Sequence, residues 1–313
     1  MCEVVTLGEC MAVLYPREPV TLDDASVLAL DIGGAEANLS IGLSRLGHSA
    51  RFISRVGDDP FGQRMRATLE REGVDTTYLA TDTGAQTGVF FREWLPDGAR
   101  RVYYYRAGSA ASRLTPEDLR PEAFEGARIV HLTGITPVLS ANCAATVAKA
   151  IELARAAGAL VSFDPNYRPR LWDMPTARAA LRPILEQTDI LLMGHEDAQA
   201  VLDDGDDDEL LERGAALGAR VVVLKRAERG ALALADGKRY AAPAHPVAQV
   251  IDPVGAGDGF DAGFLAGWLR GAGIEESLEL GARIGAAAVE VLGDYAGYPR
   301  ENENREQRTE NMR

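Results

Sequence analysis

Hydrophobic positions along the chain alternate between short, mostly apolar runs and longer segments of helical periodicity. Runs of the first kind are typical of buried strands and cover residues 4–7, 50–54, 128–132, 160–163, 190–193, 221–224 and 231–235. Segments of the second kind predict helices over residues 35–46, 61–72, 141–157, 258–270 and 274–292. Strands that alternate with helices favour an α/β fold with a largely parallel sheet and helices on both of its faces.

Two stretches interrupt the alternation. Residues 11–30 and 87–106 have strand character with no helix between or after them, and Pro96-Asp97-Gly98 is a good hairpin turn. We expect a small β flap (a lid, residues 11–31 and 87–106) that excludes water from a site; the alternative is an edge extension of the main sheet. The main domain would then comprise residues 1–10, 32–86 and 107–299.

Two polar stretches are predicted to lie outside the regular structure. Residues 203–209 form an acidic run, interpreted as a solvated loop. The tail over residues 300–313 is polar and predicted to be disordered.

Composition narrows the class of protein. The chain has 313 residues, of which 46% are hydrophobic and 26% charged, as in soluble globular proteins. A net charge of −14 argues against nucleic acid as the main partner, although a small anionic substrate needs only a local cationic pocket. No signal peptide, membrane span or cysteine pair of a metal site is apparent, so we expect a cytoplasmic protein with no membrane partner.

The segment over residues 252–263 carries the strongest chemical signal. Gly255, Ala256 and Gly257 precede an apolar helical run, so their backbone amides can converge on an anion at a helix N-terminus. Asp258 follows in the first turn, where a carboxylate could cap the helix or act as the base that accepts a hydroxyl proton during phosphoryl transfer. Neither the P-loop sequence nor the third glycine of a dinucleotide fingerprint is present.

This segment resembles the C-terminal signature of the ribokinase-like, or phosphofructokinase-B, carbohydrate kinases. Gly33-Gly34-Ala35, Asn38 and Leu46-Gly47 are similar to the N-terminal signature, and residues 57–62 to a third segment. The resemblance covers nearly the whole chain. It implies a ribokinase-like doubly wound, mostly parallel sheet with a β lid, and an ATP-dependent kinase that uses Mg²⁺.

The resemblance also assigns roles to individual residues. It implies that Asp258 is the catalytic base and that an anion hole, an oxyanion-type cradle, stabilises the transferred phosphoryl group. The anion hole comprises the amides of Gly255, Ala256 and Gly257, the sugar-facing turn comprises Gly33, Gly34 and Asn38, and the nucleotide segment comprises Lys225, Arg226 and Gly230. Purely structural alternatives are a tight turn for the two N-terminal glycines, helix packing for Asn38 and a solvated strand end for Lys225.

Two positions depart from the family pattern. The family's N-x-x-E after a strand, tied to magnesium and phosphate, appears here as Gly194-His195-Glu196-Asp197, without the Asn and with Asp197 in place of the Glu. Glu196 and Asp197 are therefore candidate metal ligands, although acidic residues in a first helical turn also stabilise the helix dipole. Arg283 replaces a common Asn, so adenine contacts are left open.

Two arginines from different elements suggest a substrate carboxylate. Arg168 follows a predicted strand, on the side where ligands collect, and Arg106 ends a flap strand. Surface ion pairs are the alternative for each. Tyr104 should share a face with Arg106, with Tyr103 and Tyr105 packed on the opposite face.

These segments, together with Gly293-Asp294, resemble the 2-keto-3-deoxygluconate kinases, which phosphorylate the 6-hydroxyl of a keto-deoxy sugar acid. The resemblance implies that Gly34, Tyr104, Arg106, Arg168 and Asp258 contact the sugar acid. Kinases for 5-dehydro-2-deoxygluconate, fructose or ribose remain alternatives, as does a sugar-acid sensor without turnover. Since flap strands often pair in this family, a homo-oligomer through the lid is also to be considered.

Overall fold

Thirteen strands and eight α-helices make up the described part of the chain, residues 2–95 and 100–301 of a computed structural model. The strands are β1 Val4–Leu7, β2 Met11–Tyr15, β3 Ala29–Gly33, β4 Ala50–Gly57, β5 Leu79–Asp82, β6 Val89–Trp94, β7 Arg100–Tyr105, β8 Ile129–Thr133, β9 Leu160–Asp164, β10 Ile190–Gly194, β11 Val221–Lys225, β12 Ala231–Ala235 and β13 Lys238–Ala242. The helices are α1 Ala35–Arg45, α2 Pro60–Arg71, α3 Ala141–Ala157, α4 Met174–Leu185, α5 His195–Leu202, α6 Asp207–Ala216, α7 Ala256–Leu269 and α8 Ile274–Val289.

Nine strands form the main sheet, in the order β13-β12-β11-β10-β9-β8-β1-β4-β5. Seven of them, from β11 to β5, are parallel, and β12 and β13 add an antiparallel edge. The chain runs outward from β1 to β5 and then returns to β8 on the other side of β1. The junction of β1 and β8 is therefore the topological switch point, where open α/β sheets bind ligands beyond their carboxyl ends.

Two hydrophobic cores cover the two faces of this sheet. One core contains apolar side chains of α1, α2, α7 and α8, and the other contains those of α3, α4, α5 and α6. The central strands β1 and β8 are buried along their whole length, which explains why their sequences are mostly apolar. The predicted doubly wound, mostly parallel α/β sheet with helices on both faces is confirmed.

The interrupting stretches form a second sheet of four strands, in the order β3-β2-β6-β7. This sheet is separate from the main one, so the strands do not extend its edge. Whether it acts as a lid stays a prediction. The predicted turn at residues 96–98 lies outside the described residues, as does the predicted disordered tail from residue 302 onward.

The structure corrects one interpretation and adds elements that the sequence pattern did not reveal. The acidic run over residues 203–209 is not entirely a loop, because α6 begins at Asp207. Asp206 and Glu209 form a capping box there, and acidic residues stabilise the positive end of a helix. Strands β5 and β13 and helices α4, α5 and α6 were not among the elements predicted from the hydrophobic pattern. No helix in the described ranges is both long and apolar enough to cross a membrane.

Candidate active site

The candidate base lies in the first turn of α7. The Asn38 side chain on α1 donates a hydrogen bond from Nδ2 to Oδ2 of Asp258 at 2.8 Å. Burial raises the pKa of Asp258 above its usual range and the charge of Asp164 adds to this, while the hydrogen bond from Asn38 opposes it. A carboxylate of raised basicity is suited to accept a hydroxyl proton near neutral pH.

Glycines shape the backbone at the start of α7. Gly255 has φ 82°, a left-handed value, and a Cβ there would overlap the carbonyl oxygen of Asp294. Beside Gly257 there is room for a methyl group, since the nearest atom to one added there would be Nζ of Lys225 at 3.7 Å. The first amides of a helix lack intrahelical acceptors, so those of residues 255–257 can face an anion in this space, although the Ala256 amide also makes a long contact of 3.4 Å to the Pro253 carbonyl.

Lys225 supplies positive charge beside this space. Its Nζ lies 2.9 Å from a carboxylate oxygen of Asp164, at the end of β9, and 2.9 Å from one of Asp261 on α7. Burial alone would lower the pKa of Lys225, but the two carboxylates hold it above its usual value. The alternative of a solvated strand end is therefore wrong, while a contact of Lys225 with nucleotide stays a prediction.

The other two residues of the predicted nucleotide segment have structural partners. Arg226 pairs with Asp207 at 2.9 Å. Gly230 has φ 78° in the turn between β11 and β12, where a Cβ would overlap the carbonyl oxygen of Ala242. The ion pair links the end of β11 to α6, and the close approach at Gly230 packs the β11–β12 turn on β13. A direct role for these residues in nucleotide binding stays a prediction.

The two glycines of the predicted sugar-facing turn permit close packing. A Cβ at Gly34 would overlap the carbonyl oxygen of Glu9, and one at Gly33 would overlap the carboxylate of Asp294. The turn thus brings the start of α1 against the end of β1 and the segment after α8. Its glycines are required sterically, whether or not they also contact sugar.

The two candidate arginines have different environments. Arg106 forms an ion pair with the fully buried carboxylate of Glu9 at 2.5 Å, and Glu9 also accepts a hydrogen bond from the Ser109 hydroxyl. Arg168 is exposed and donates from Nη1 to the Tyr167 carbonyl at 3.2 Å. None of the ion pairs among the described residues includes Arg168. Its charge nevertheless acts on Asp258, partly offsetting the rise in the pKa of that base.

The tyrosines of β7 follow the prediction only in part. Arg106 lies over the Tyr104 ring, 5.4 Å from its centroid, so these two side chains do share a face. Tyr105 packs edge-on against Phe91 on the other face, at 5.6 Å between ring centroids, as predicted. That face is not buried, however, since Tyr103 and Tyr105 are 37% and 68% exposed. β7 is the edge strand of the small sheet, and its residues 103–105 are exposed.

The candidate metal ligands begin α5. Glu196 is exposed, whereas Asp197 accepts a hydrogen bond from the Tyr167 amide at 2.9 Å. Burial and the nearby Asp164 raise the pKa of Asp197 to about 6. Among the described residues, no cluster of three or more acidic, histidine or cysteine side chains could hold a metal by itself.

Several buried acids near the switch point were missed from the sequence. Asp164 and Asp261 could have been identified from the sequence, because each lies inside a segment singled out for other residues. Glu36 is buried beneath the switch point, where the Thr133 and Thr136 hydroxyls each donate to it at 2.7 Å and burial raises its pKa to about 7. Nothing in the local pattern marked Glu36 or Glu9.

A buried carboxylate in the first turn of a helix, in a doubly wound α/β fold, is an arrangement suited to phosphoryl transfer. The family model for the pfkB family of carbohydrate kinases matches residues 1–301. The chain belongs to this family and is a carbohydrate kinase.

The proteins to which the chain is similar include kinases for different sugars. The chain is 35% identical to the 2-dehydro-3-deoxygluconokinase of Thermoproteus tenax over 98% of this chain and 94% of that one. It is also 35% identical to the fructokinase of Klebsiella pneumoniae, over 95% and 96%. A putative ribokinase II of E. coli, solved in complex with ATP and Mg²⁺, superposes with a TM-score of 0.91 at 25% identity, over 99% of this chain and all of that one.

Proposed function

We propose that this kinase transfers the γ-phosphoryl group of ATP to the terminal 6-hydroxyl of 2-keto-3-deoxygluconate. The observation that carries the sugar-acid assignment is Arg168, an exposed guanidinium outside every described ion pair, whose charge acts on the proposed base Asp258. A substrate carboxylate would give this guanidinium a charge-assisted hydrogen-bond partner close to the reacting hydroxyl. The similarity to the 2-dehydro-3-deoxygluconokinase of T. tenax supports the same substrate.

In the proposed reaction, Asp258 accepts the proton of the attacking hydroxyl as the oxygen–phosphorus bond forms. Asn38 holds the base through its hydrogen bond, which fixes one carboxylate oxygen and leaves the other available. The amides of Gly255, Ala256 and Gly257 stabilise charge on the transferred group, and Lys225 adds a positive charge beside them. The leaving group is ADP.

The residues present fit a magnesium ion that arrives with ATP. Mg²⁺ keeps much of its water and is commonly held by one or two carboxylates plus substrate phosphates, so a full cluster of protein ligands is not required. Asp197 is the carboxylate that would contribute, because its charge interacts with Asp164 and with Lys225 beside the anion hole. The Tyr167 amide engages one of its oxygens. When bound, the metal would neutralise phosphate charge.

A substrate panel tests the proposal. ADP release is measured with 2-keto-3-deoxygluconate, 5-dehydro-2-deoxygluconate, fructose and ribose, each with ATP and Mg²⁺. We expect the highest kcat/KM with 2-keto-3-deoxygluconate and a 6-phosphate product by NMR. A higher value with fructose would reassign the substrate, an outcome that the Glu9–Arg106 ion pair favours because it already neutralises one of the two arginines. Saturable sugar-acid binding without ADP release would indicate a sensor.

A further inference from the structure

Arg92 is a charged side chain with no solvent exposure, located on β6 of the small sheet. Its guanidinium lies 3.0 Å from Oδ2 of Asp252 and donates a hydrogen bond to Oδ1 of Asp294 at 3.0 Å. The Tyr15 ring covers the guanidinium, with its centroid 4.9 Å from the central carbon. A buried arginine between two buried carboxylates is costly unless geometry and hydrogen bonds are favourable, so its position calls for a physical reason.

Asp252 connects this cluster to the phosphate-facing loop. It immediately precedes the segment over residues 253–257, and its two carboxylate oxygens accept hydrogen bonds from the Val254 amide at 3.3 Å and the Gly293 amide at 3.2 Å. The side chain therefore links the start of the anion-hole loop to the segment after α8. Arg92 engages the carboxylate oxygen that accepts from Gly293.

Asp294 connects the same cluster to both halves of the active site. Its carbonyl oxygen packs so closely on Gly255 that no Cβ fits there, and its carboxylate packs in the same way on Gly33. Burial raises the pKa of Asp294 to about 6 while Arg92 opposes the rise and Asp252 adds to it. Without the guanidinium, two carboxylates that repel each other would meet beneath the anion hole.

We infer that Arg92 is a positioning residue for phosphoryl transfer: its planar guanidinium holds Asp252 and Asp294 together and so aligns the anion-hole loop with the sugar-facing turn. A planar fork can engage two carboxylates in fixed directions, which a point charge cannot do. The inference rests on the kinase activity of the family and not on which sugar is the substrate. It also implies that β6 is anchored to the main domain, so that any lid movement is confined to other parts of the small sheet.

Variants at Arg92 test this role. Arg92→Met should reduce kcat by about 100-fold, the scale expected when a catalytic group is displaced by about 1 Å, and should change KM for ATP by less than about threefold. Arg92→Lys should retain charge and fold, and should lose about tenfold in kcat, because one ammonium cannot reproduce the fork. Arg51→Met is the matched control, since Arg51 also pairs with a carboxylate (Asp75, 2.7 Å) and lies on a tyrosine ring, but it is on β4 of the main sheet and none of its described partners belongs to the anion-hole loop.

A double variant separates positioning from stability. Arg92→Met/Asp252→Asn removes one charge of each sign, so we expect the melting temperature to recover relative to Arg92→Met while kcat stays low. Recovery of both would show that Arg92 only neutralises charge and would overturn the inference. A parental kcat in Arg92→Lys would overturn it as well, even if the Met variant failed to fold.

Amide hydrogen exchange supplies a readout that needs no turnover. We expect faster exchange over residues 252–258 and 293–295 in Arg92→Lys than in the parent, and unchanged exchange there in the Arg51→Met control. Unchanged exchange in both would refute the positioning role. If the parent showed no turnover but Arg92→Lys still exchanged faster over these residues, the result would support the positioning of the loop by Arg92 and would contradict the proposed function.

Discussion

The two arginines proposed for the substrate carboxylate should respond differently to replacement. Arg168→Ala removes an exposed guanidinium that has no carboxylate partner among the described residues, so the fold should not change. A hydrogen bond to a charged group contributes about 1.5–3 kcal/mol, which corresponds to about a 10- to 150-fold loss of kcat/KM for a sugar acid. The loss with fructose should be less than about threefold, because fructose has no carboxylate.

Arg106→Ala should act mainly on stability. It leaves the Glu9 carboxylate, which has no exposed surface, without its ion pair, and breaking a buried pair costs about 3–5 kcal/mol. Burial already raises the pKa of Glu9 although Arg106 opposes it, so removing Arg106 raises that pKa further. An acid with a raised pKa in the folded state binds more protons than in the unfolded state, so the variant should lose stability as pH rises above the usual glutamate range.

The measurements are kcat/KM for 2-keto-3-deoxygluconate and for fructose, and melting temperatures at about pH 5.5 and about pH 8. Arg182→Ala, at an exposed arginine paired with Glu186 on α4, is the control for a surface change. Equal losses on the acid and the neutral sugar in Arg168→Ala would refute the carboxylate contact. A selective loss on the acid in a fully stable Arg106→Ala would show that Glu9 does not neutralise Arg106.

Three further predictions concern the phosphoryl-transfer site. Asp258→Asn should retain ATP binding and lower kcat by about 10²–10⁴-fold, and turnover close to that of the parent in a coupled assay would exclude Asp258 as the base. In the parent, kcat/KM should fall as pH drops through the pKa of Asp258, with the acid limb above the usual aspartate value of about 3.9; a limb at or below that value would contradict the raised pKa. Gly255→Ala should destabilise the fold because its Cβ would overlap Asp294, whereas Gly257→Ala should keep the melting temperature and lower kcat because its methyl group enters the space beside Lys225. Equal melting temperatures for the two alanine variants would disprove this contrast.

Local sequence determined the parts of this protein that depend on neighbouring residues. Mostly apolar runs marked the parallel strands because those strands are buried on both faces. The anion-hole glycines and Asp258 are consecutive, so a strand–loop–helix segment is enough to bring them together. Local sequence did not predict the structure of the acidic run at the start of α6, because the same charges suit a solvated loop or the first turn of a helix.

Only the tertiary structure decided which charges meet. Arg92 reaches Asp294 across 202 residues of sequence, and Lys225 reaches Asp164 across 61. No local pattern encodes such pairs, because they depend on how β6, β9 and β11 are arranged around the switch point. Arg106 is another example. The sequence suggested that its charge was available to a ligand, but in the fold Glu9, which follows β1, forms an ion pair with it. Burial then sets the strength and protonation of these groups, since it removes the water that would otherwise screen them.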